Sequence, residues 1–232
     1  MNHYLFSSNM KLADIIMSNY RLLSVLSRFN INLGFGDKTI NEICEQKHIS
    51  EDLFLMICNV YNFKDYLPTI EEIKTIEINE LISFLKKSHN LFINQDIKEI
   101  ENSLNKMCSC CSGNHLSLLM KFFEDYKKEV INHLNYEETV VFPYIDSLTK
   151  NKEVNNYHIN QFEENHTNIE DKLSDLKNII IKYLPEICSP EQRTMLLQRL
   201  FLFQEELFTH SIIEDKILIP LVEEIEKGYD AK

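Results

Sequence analysis

Two short stretches of this chain, His133-Leu-Asn-Tyr-Glu137-Glu138 and His210-Ser-Ile-Ile-Glu214-Asp215, carry the same His-x-x-x-Glu pattern. Each is preceded by a further histidine, and the interval from His89 to His133 equals that from His166 to His210. Pro143 and Pro220 keep the offset that separates His133 from His210. An internal repeat of this kind describes one supersecondary unit used twice. The midpoint of the first histidine pair is residue 111, beside Gly113; that of the second is residue 188, between Pro185 and Ser189-Pro190-Glu191-Gln192. An antiparallel hairpin folded at its midpoint brings its two ends level. Each half of the repeat therefore reads as a helical hairpin with its two histidines at one height. Within the second helix of each hairpin, His and Glu at i and i+4 share a face one turn apart.

The rest of the chain agrees with helices. Apolar residues recur at helical spacing almost throughout, and alternating strand-like runs are lacking. Only 4 Gly and 5 Pro interrupt 232 residues, so long uninterrupted helices are expected. The spacing predicts helices over Asn79–Lys106, Asn114–Leu148, Tyr157–Tyr183 and Pro190–Lys227. The fold class is all-α: an antiparallel up-down four-helix bundle over residues 79–232, preceded by a small helical N-terminal domain over 1–61. Residues 62–78, with Pro68, read as a linker that is partly helical. In the N-terminal domain, Met10 to Leu26 reads as one amphipathic helix. Thr39-Ile-Asn-Glu42 is a capping box that starts a second, and Ser50 followed by Glu51 and Asp52 starts a third.

The chemistry sits on the apolar faces of the bundle helices. Phe122, Tyr126, Val130 and Val140 surround His133 at helical offsets, and Phe203, Leu207, Ile213 and Ile217 surround His210. A buried carboxylate without a partner is costly, and six unpaired polar groups in one core would be ruinous. A metal centre resolves that cost. The predicted ligands are His89, His133, Glu137, His166, His210 and Glu214. Two symmetric half-sites suggest two metals. Histidine nitrogen with bridging carboxylate suits iron, ahead of manganese or zinc. Glu137 and Glu214 are the natural bridges, and four histidines fill terminal positions, two per metal. That leaves room for an oxo or hydroxo bridge and an open position for a small ligand. Ferritin-like sites pair two Glu-x-x-His motifs, whereas the motif that occurs twice at these places is His-x-x-x-Glu. A lone His-x-x-x-Glu pair is common on solvated helix faces; two such pairs, each with a histidine at the same distance upstream, are not.

Other residues carry less. Glu129 and Glu206, one turn before His133 and His210, are candidates for orienting the ligand histidines or are solvated glutamates repeated with the helix. Tyr126 is expected in the core. Cys108, Cys110, Cys111 and His115 do not have a standard zinc spacing and read as reduced loop thiols with a distant histidine. His3, His48 and His158 are expected at the surface.

The formal charge is −12, from 24 basic and 36 acidic residues. Such a chain repels phosphate backbones, so nucleic-acid binding is excluded, a helix-turn-helix around Thr39 and Ser50 included. No apolar run reaches membrane-spanning length and no leader pattern opens the chain, so a cytoplasmic location with reduced cysteines is expected.

On these motifs, residues 79 to 227 resemble the hemerythrin-like domain of the RIC (repair of iron centres) family. His89, His133/Glu137, His166 and His210/Glu214 match that family's ligand pattern. The resemblance implies a di-iron stress protein that repairs or supplies iron–sulfur clusters under nitrosative and oxidative stress, with damaged iron–sulfur proteins as partners. The family's N-terminal domain usually carries a vicinal cysteine pair. Here the corresponding stretch is Asn32-Leu-Gly-Phe-Gly-Asp37, without thiols. Two further readings stay open: a hemerythrin-like sensor or scavenger of dioxygen or nitric oxide, and a di-iron reductase of nitric oxide or peroxide. A homodimer is also left open.

Overall fold

The computed structural model describes residues 5–110, 114–150, 152, 157–165, 169–183 and 189–230. The described residues are helical apart from turns, loops and one isolated bridge between Lys11 and Thr39. The fold is the expected all-α one, a four-helix bundle preceded by a small helical part. Among the described residues, no helix is long and apolar enough to cross a membrane.

The N-terminal helices are α1 (Leu12–Ser18), α2 (Leu22–Arg28), α3 (Ile40–Lys47), α4 (Glu51–Asn62) and the one-turn α5 (Ile70–Ile73). The long helix expected over Met10 to Leu26 is broken in two. Asn19 is extended at the break; its side-chain oxygen accepts from the Arg21 N–H, and its amide donates to the Tyr61 carbonyl. A short polar side chain that bonds the local backbone competes with helix continuation. The starts of α3 and α4 follow the sequence: Thr39 and Glu42 form the reciprocal capping box, and the Ser50 hydroxyl accepts from the Leu53 N–H. A second capping box, Thr69 with Glu72, starts α5 inside the expected linker.

The first, second and fourth bundle helices are continuous, and each contains a widened turn. The first runs through α6 (Ile78–Leu91), a π-helical turn π1 (Phe92–Asp96) and α7 (Ile97–Cys110). The second runs through α8 (Asn114–Tyr136), π2 (Glu137–Val141) and α9 (Phe142–Thr149). The third contains α10 (Asn160–Asn165) and α11 (Ile169–Tyr183). The fourth runs through α12 (Pro190–Ile213), π3 (Glu214–Leu218) and α13 (Ile219–Asp230). The residue after each π turn donates to the first residue of that turn: Ile97 to Phe92, Phe142 to Glu137, and Ile219 to Glu214. Pro143 and Pro220 follow two of these turns. A proline ring clashes with the carbonyl one turn earlier and offers no N–H, and a local widening accommodates both defects. No proline follows π1, and we have no physical account of that turn.

The chain packs as two compact units. One comprises His89–Ser147 and Val154–Phe208. Its core is layered from four helices: Phe92, Ile100, Leu104 and Met107; Leu119, Phe123, Tyr126, Val130 and Leu134; Leu173, Leu176 and Ile180; Leu196, Leu200, Phe203 and Leu207. Each fully buried side chain of this size contributes about 1.5–3 kcal/mol before entropy is counted.

The other unit comprises Met1–Ser88, Leu148–Glu153 and Thr209–Lys232. Leu12, Leu22, Val25, Ile40, Leu53, Phe54 and Ile57 fill its centre. Arg21 Nη2 donates to Thr209 Oγ1 at 2.6 Å, and its guanidinium carbon lies 5.3 Å from the centre of the Tyr61 ring. The N-terminal helices thus hold the residue next to His210. Cys44 on α3 and Cys58 on α4 are buried. Burial, with Glu51 adding to it, pushes the Cys44 thiol up to about 12, and burial with Cys44 nearby holds Cys58 well above the ordinary 9.0. Both folded-state values are raised, so the stability they carry is present below the unfolded thiol value and falls as pH climbs from 9.0 toward about 12. Neither thiol is expected to react with an alkylating reagent at pH 8 before unfolding, as read by peptide mapping. Labelling of either at the native-state limit would mean that this core opens readily.

Candidate metal centre

Two of the predicted ligands meet around the carboxylate of a third. His89, near the end of α6, holds its Nε2 2.9 Å from Glu137 Oε2. His133, one turn before π2, holds its Nε2 2.7 Å from Glu137 Oε1. The two oxygens of Glu137 therefore face two different imidazoles. On the fourth helix, His210 Nε2 lies 3.1 Å from Glu214 Oε1, the same i,i+4 relation as His133 to Glu137. Glu137, Glu214 and His89 are fully buried, and His210 nearly so; the His133 side chain retains 12% exposure.

His89, Glu137, His210 and Glu214 each offer a ligand atom, and these atoms all lie within 4.8 Å of one another. His133 lies beside the group, against the Glu137 oxygen that His89 does not face. His166 lies outside the described residues. The donor set fits a cation on two grounds. Two fully buried carboxylates have imidazole nitrogens around them, a mixture of nitrogen and anionic oxygen donors that suits a divalent transition metal. The nitrogen–oxygen separations of 2.7, 2.9 and 3.1 Å are close enough for the paired atoms to reach one cation together.

The imidazole of His89 is held on three sides. Its Nε2 faces Glu137, its Nδ1 lies 2.9 Å from Glu138 Oε1, and its ring stacks on Phe142 with centroids 5.7 Å apart and planes 16° from parallel. All three partners come from π2 and the first residue of α9.

The family model of the hemerythrin HHE cation binding domain matches residues 81–222, a span that includes all six predicted ligands. The chain belongs to that family. Its hemerythrin domain is a helical metal-binding domain, and the buried His/Glu cluster is the candidate place for the cation. No curated protein matches the chain.

The remaining residues singled out in the sequence take these places. Glu129 ion-pairs with Lys172 across α8 and α11, with both side chains about half-exposed, so it is a solvated partner and not a support for the histidines. Glu206 is half-buried. Tyr126 fills the core, as expected. Val140 turns outward at π2 instead of covering His133, because the widened turn shifts its direction. His48 and His158 are exposed. Cys111, Cys188 and His3, and the side chains of Cys108, Cys110 and His115, lie outside the described residues. The residue that sequence reading missed is Glu138. Its signal was available, since Glu138 and Asp215 hold equivalent places in the repeat and each directly follows a predicted bridge.

Proposed function

We propose that the hemerythrin domain carries a non-haem di-iron centre and serves in the repair or iron supply of iron–sulfur clusters under nitrosative or oxidative stress. The single observation behind the centre is the group of four buried ligand atoms within 4.8 Å. The division of Glu137 between two imidazoles supports two metals over one. Glu137 would serve both metals, with His89 holding one and His133 the other. His210, which belongs to one group of ligand atoms with His89, would serve the His89 metal. By the repeat, His166 would serve the His133 metal and Glu214 would be the counterpart of Glu137. When bound, iron supplies one-electron chemistry and a position for a small ligand. The chain supplies a water-poor pocket and fixed donors.

The repair role follows from the resemblance of the ligand pattern to the RIC family, and damaged iron–sulfur proteins are the proposed partners, in the cytoplasm. A gas-binding reading competes with it. The stretch 32–37 has no thiols, and Cys44 and Cys58 are buried and held protonated, so no reactive thiol pair assists metal transfer there. That observation favours a sensor or scavenger of dioxygen or nitric oxide.

Metal content and an optical spectrum test the centre on wild type and on Glu137→Ala/Glu214→Ala. About two irons per chain, with charge-transfer bands that vanish in the double variant, is the expected result. A chain that takes up no iron, or takes it up equally in the variant, would overturn it. Iron delivery to an apo iron–sulfur protein supports the repair role. A reversible spectral change with dioxygen or nitric oxide, without delivery, supports the gas-binding one.

A further inference from the structure

Consecutive residues on a helix point about 100° apart, yet Glu137 and Glu138 both reach the imidazole of His89. They do so from opposite edges of the ring: Glu137 Oε2 at Nε2 and Glu138 Oε1 at Nδ1, each at 2.9 Å. A neutral imidazole has one N–H and one lone pair. A carboxylate at Nδ1 accepts the N–H there and leaves the lone pair at Nε2, the nitrogen aimed into the buried cluster. Glu138 is suited to this work and not to ligation, because its side chain is 43% exposed while Glu137 beside it is fully buried. Water can therefore solvate the outer oxygen of Glu138 while the inner one holds the ring.

We propose that Glu138 is the positioning residue of His89, fixing its tautomer and ring orientation for metal binding. The final acid of His133-Leu-Asn-Tyr-Glu137-Glu138 then serves the histidine of the preceding helix. The inference rests on the reading of His89 as a ligand.

The test uses the full chain loaded with ferrous iron. Iron is withdrawn with a graded chelator, and the imidazole N–H signals are followed by NMR with labelled histidine. Glu138→Ala is expected to weaken iron retention about 10–100-fold and to remove the His89 Nδ1–H signal. Glu138→Gln, whose amide oxygen still accepts that hydrogen, is expected to restore the signal and most of the retention. Equal melting temperatures of the metal-free variants exclude a loss through folding; if Glu138→Ala folds poorly, the Glu138→Gln signal still decides. Iron-loaded Glu138→Ala with unchanged retention and an unchanged His89 signal would overturn the inference while leaving the centre intact. A wild-type chain that binds no iron would overturn the centre itself, and this inference with it.

Discussion

Stripping the metal from the wild-type chain is expected to lower its melting temperature sharply, and replacing both bridging carboxylates by leucine is expected to raise the melting temperature of the metal-free form. The two effects have one cause. Glu137 and Glu214 are fully buried, and a buried carboxylate without full compensation destabilises the fold. In the loaded protein the cation supplies that compensation. At free metal about a thousand times the dissociation constant, binding contributes about 4 kcal/mol. For a chain of this size each kcal/mol moves the melting temperature by about 2–4 °C. Replacing buried ionic groups with apolar ones of similar volume commonly stabilises by about 1–4 kcal/mol. Glu137→Leu/Glu214→Leu should therefore melt above metal-free wild type, below or near loaded wild type, and show no response to added iron. Differential scanning calorimetry at pH 8, with and without chelator, measures all four states. A double variant that melts well below metal-free wild type would mean that the two carboxylates hold the bundle together as ion-pair partners, and that the buried cost assigned to them is wrong.

The fold was legible because its strongest signals are periodic. Helical spacing, scarce glycine and the internal repeat gave four helices whose described ends differ from the expected ones by a few residues. The first continues to Cys110 instead of Lys106, and the fourth to Asp230 instead of Lys227. Local signals with a defined mechanism also held: the Thr39–Glu42 capping box and the Ser50 cap are formed. Two kinds of feature were not legible. Asn19 breaks the first helix through bonds to Arg21 and to Tyr61, and the second partner is far along the chain, where no local pattern can announce it. The π turns at Glu137 and Glu214 were hidden because a widened turn leaves the apolar spacing nearly unchanged over a few residues. Pro143 and Pro220, at fixed distances after the glutamates, were their one visible trace. In the site, spacing alone brought out the candidates on three of the four helices that the structure brings together, but it could not say which oxygen faces which histidine. That information lives in side-chain rotamers, and it also separates the supporting Glu138 from the solvated Glu129.

The proposed division of histidines between two metals leads to the second large effect. His89 and His210 belong to one group of ligand atoms with Glu137 and Glu214, whereas His133 faces the Glu137 oxygen that His89 does not. Removing a terminal histidine should empty the metal it serves and spare the other, whose terminal histidines come from different helices. His89→Ala is thus expected to lower iron from about two per chain to about one at saturating metal. Adding His210→Ala should cost no further iron, because both substitutions strike the same ion. Adding His133→Ala instead should bring the content to about zero. Substitutions that act on one site are non-additive, and those on separate sites add. The contrast between the two double variants is a whole metal ion per chain, far outside the error of elemental analysis. The alternative partition groups histidines by hairpin, His89 with His133 and His166 with His210, and it reverses the outcome: His89→Ala/His133→Ala would keep about one iron, and His89→Ala/His210→Ala would lose both. That reversal would mean that His89 and His133 serve one metal although they face different oxygens of Glu137, and that each helical hairpin of the repeat supplies the histidines of its own metal.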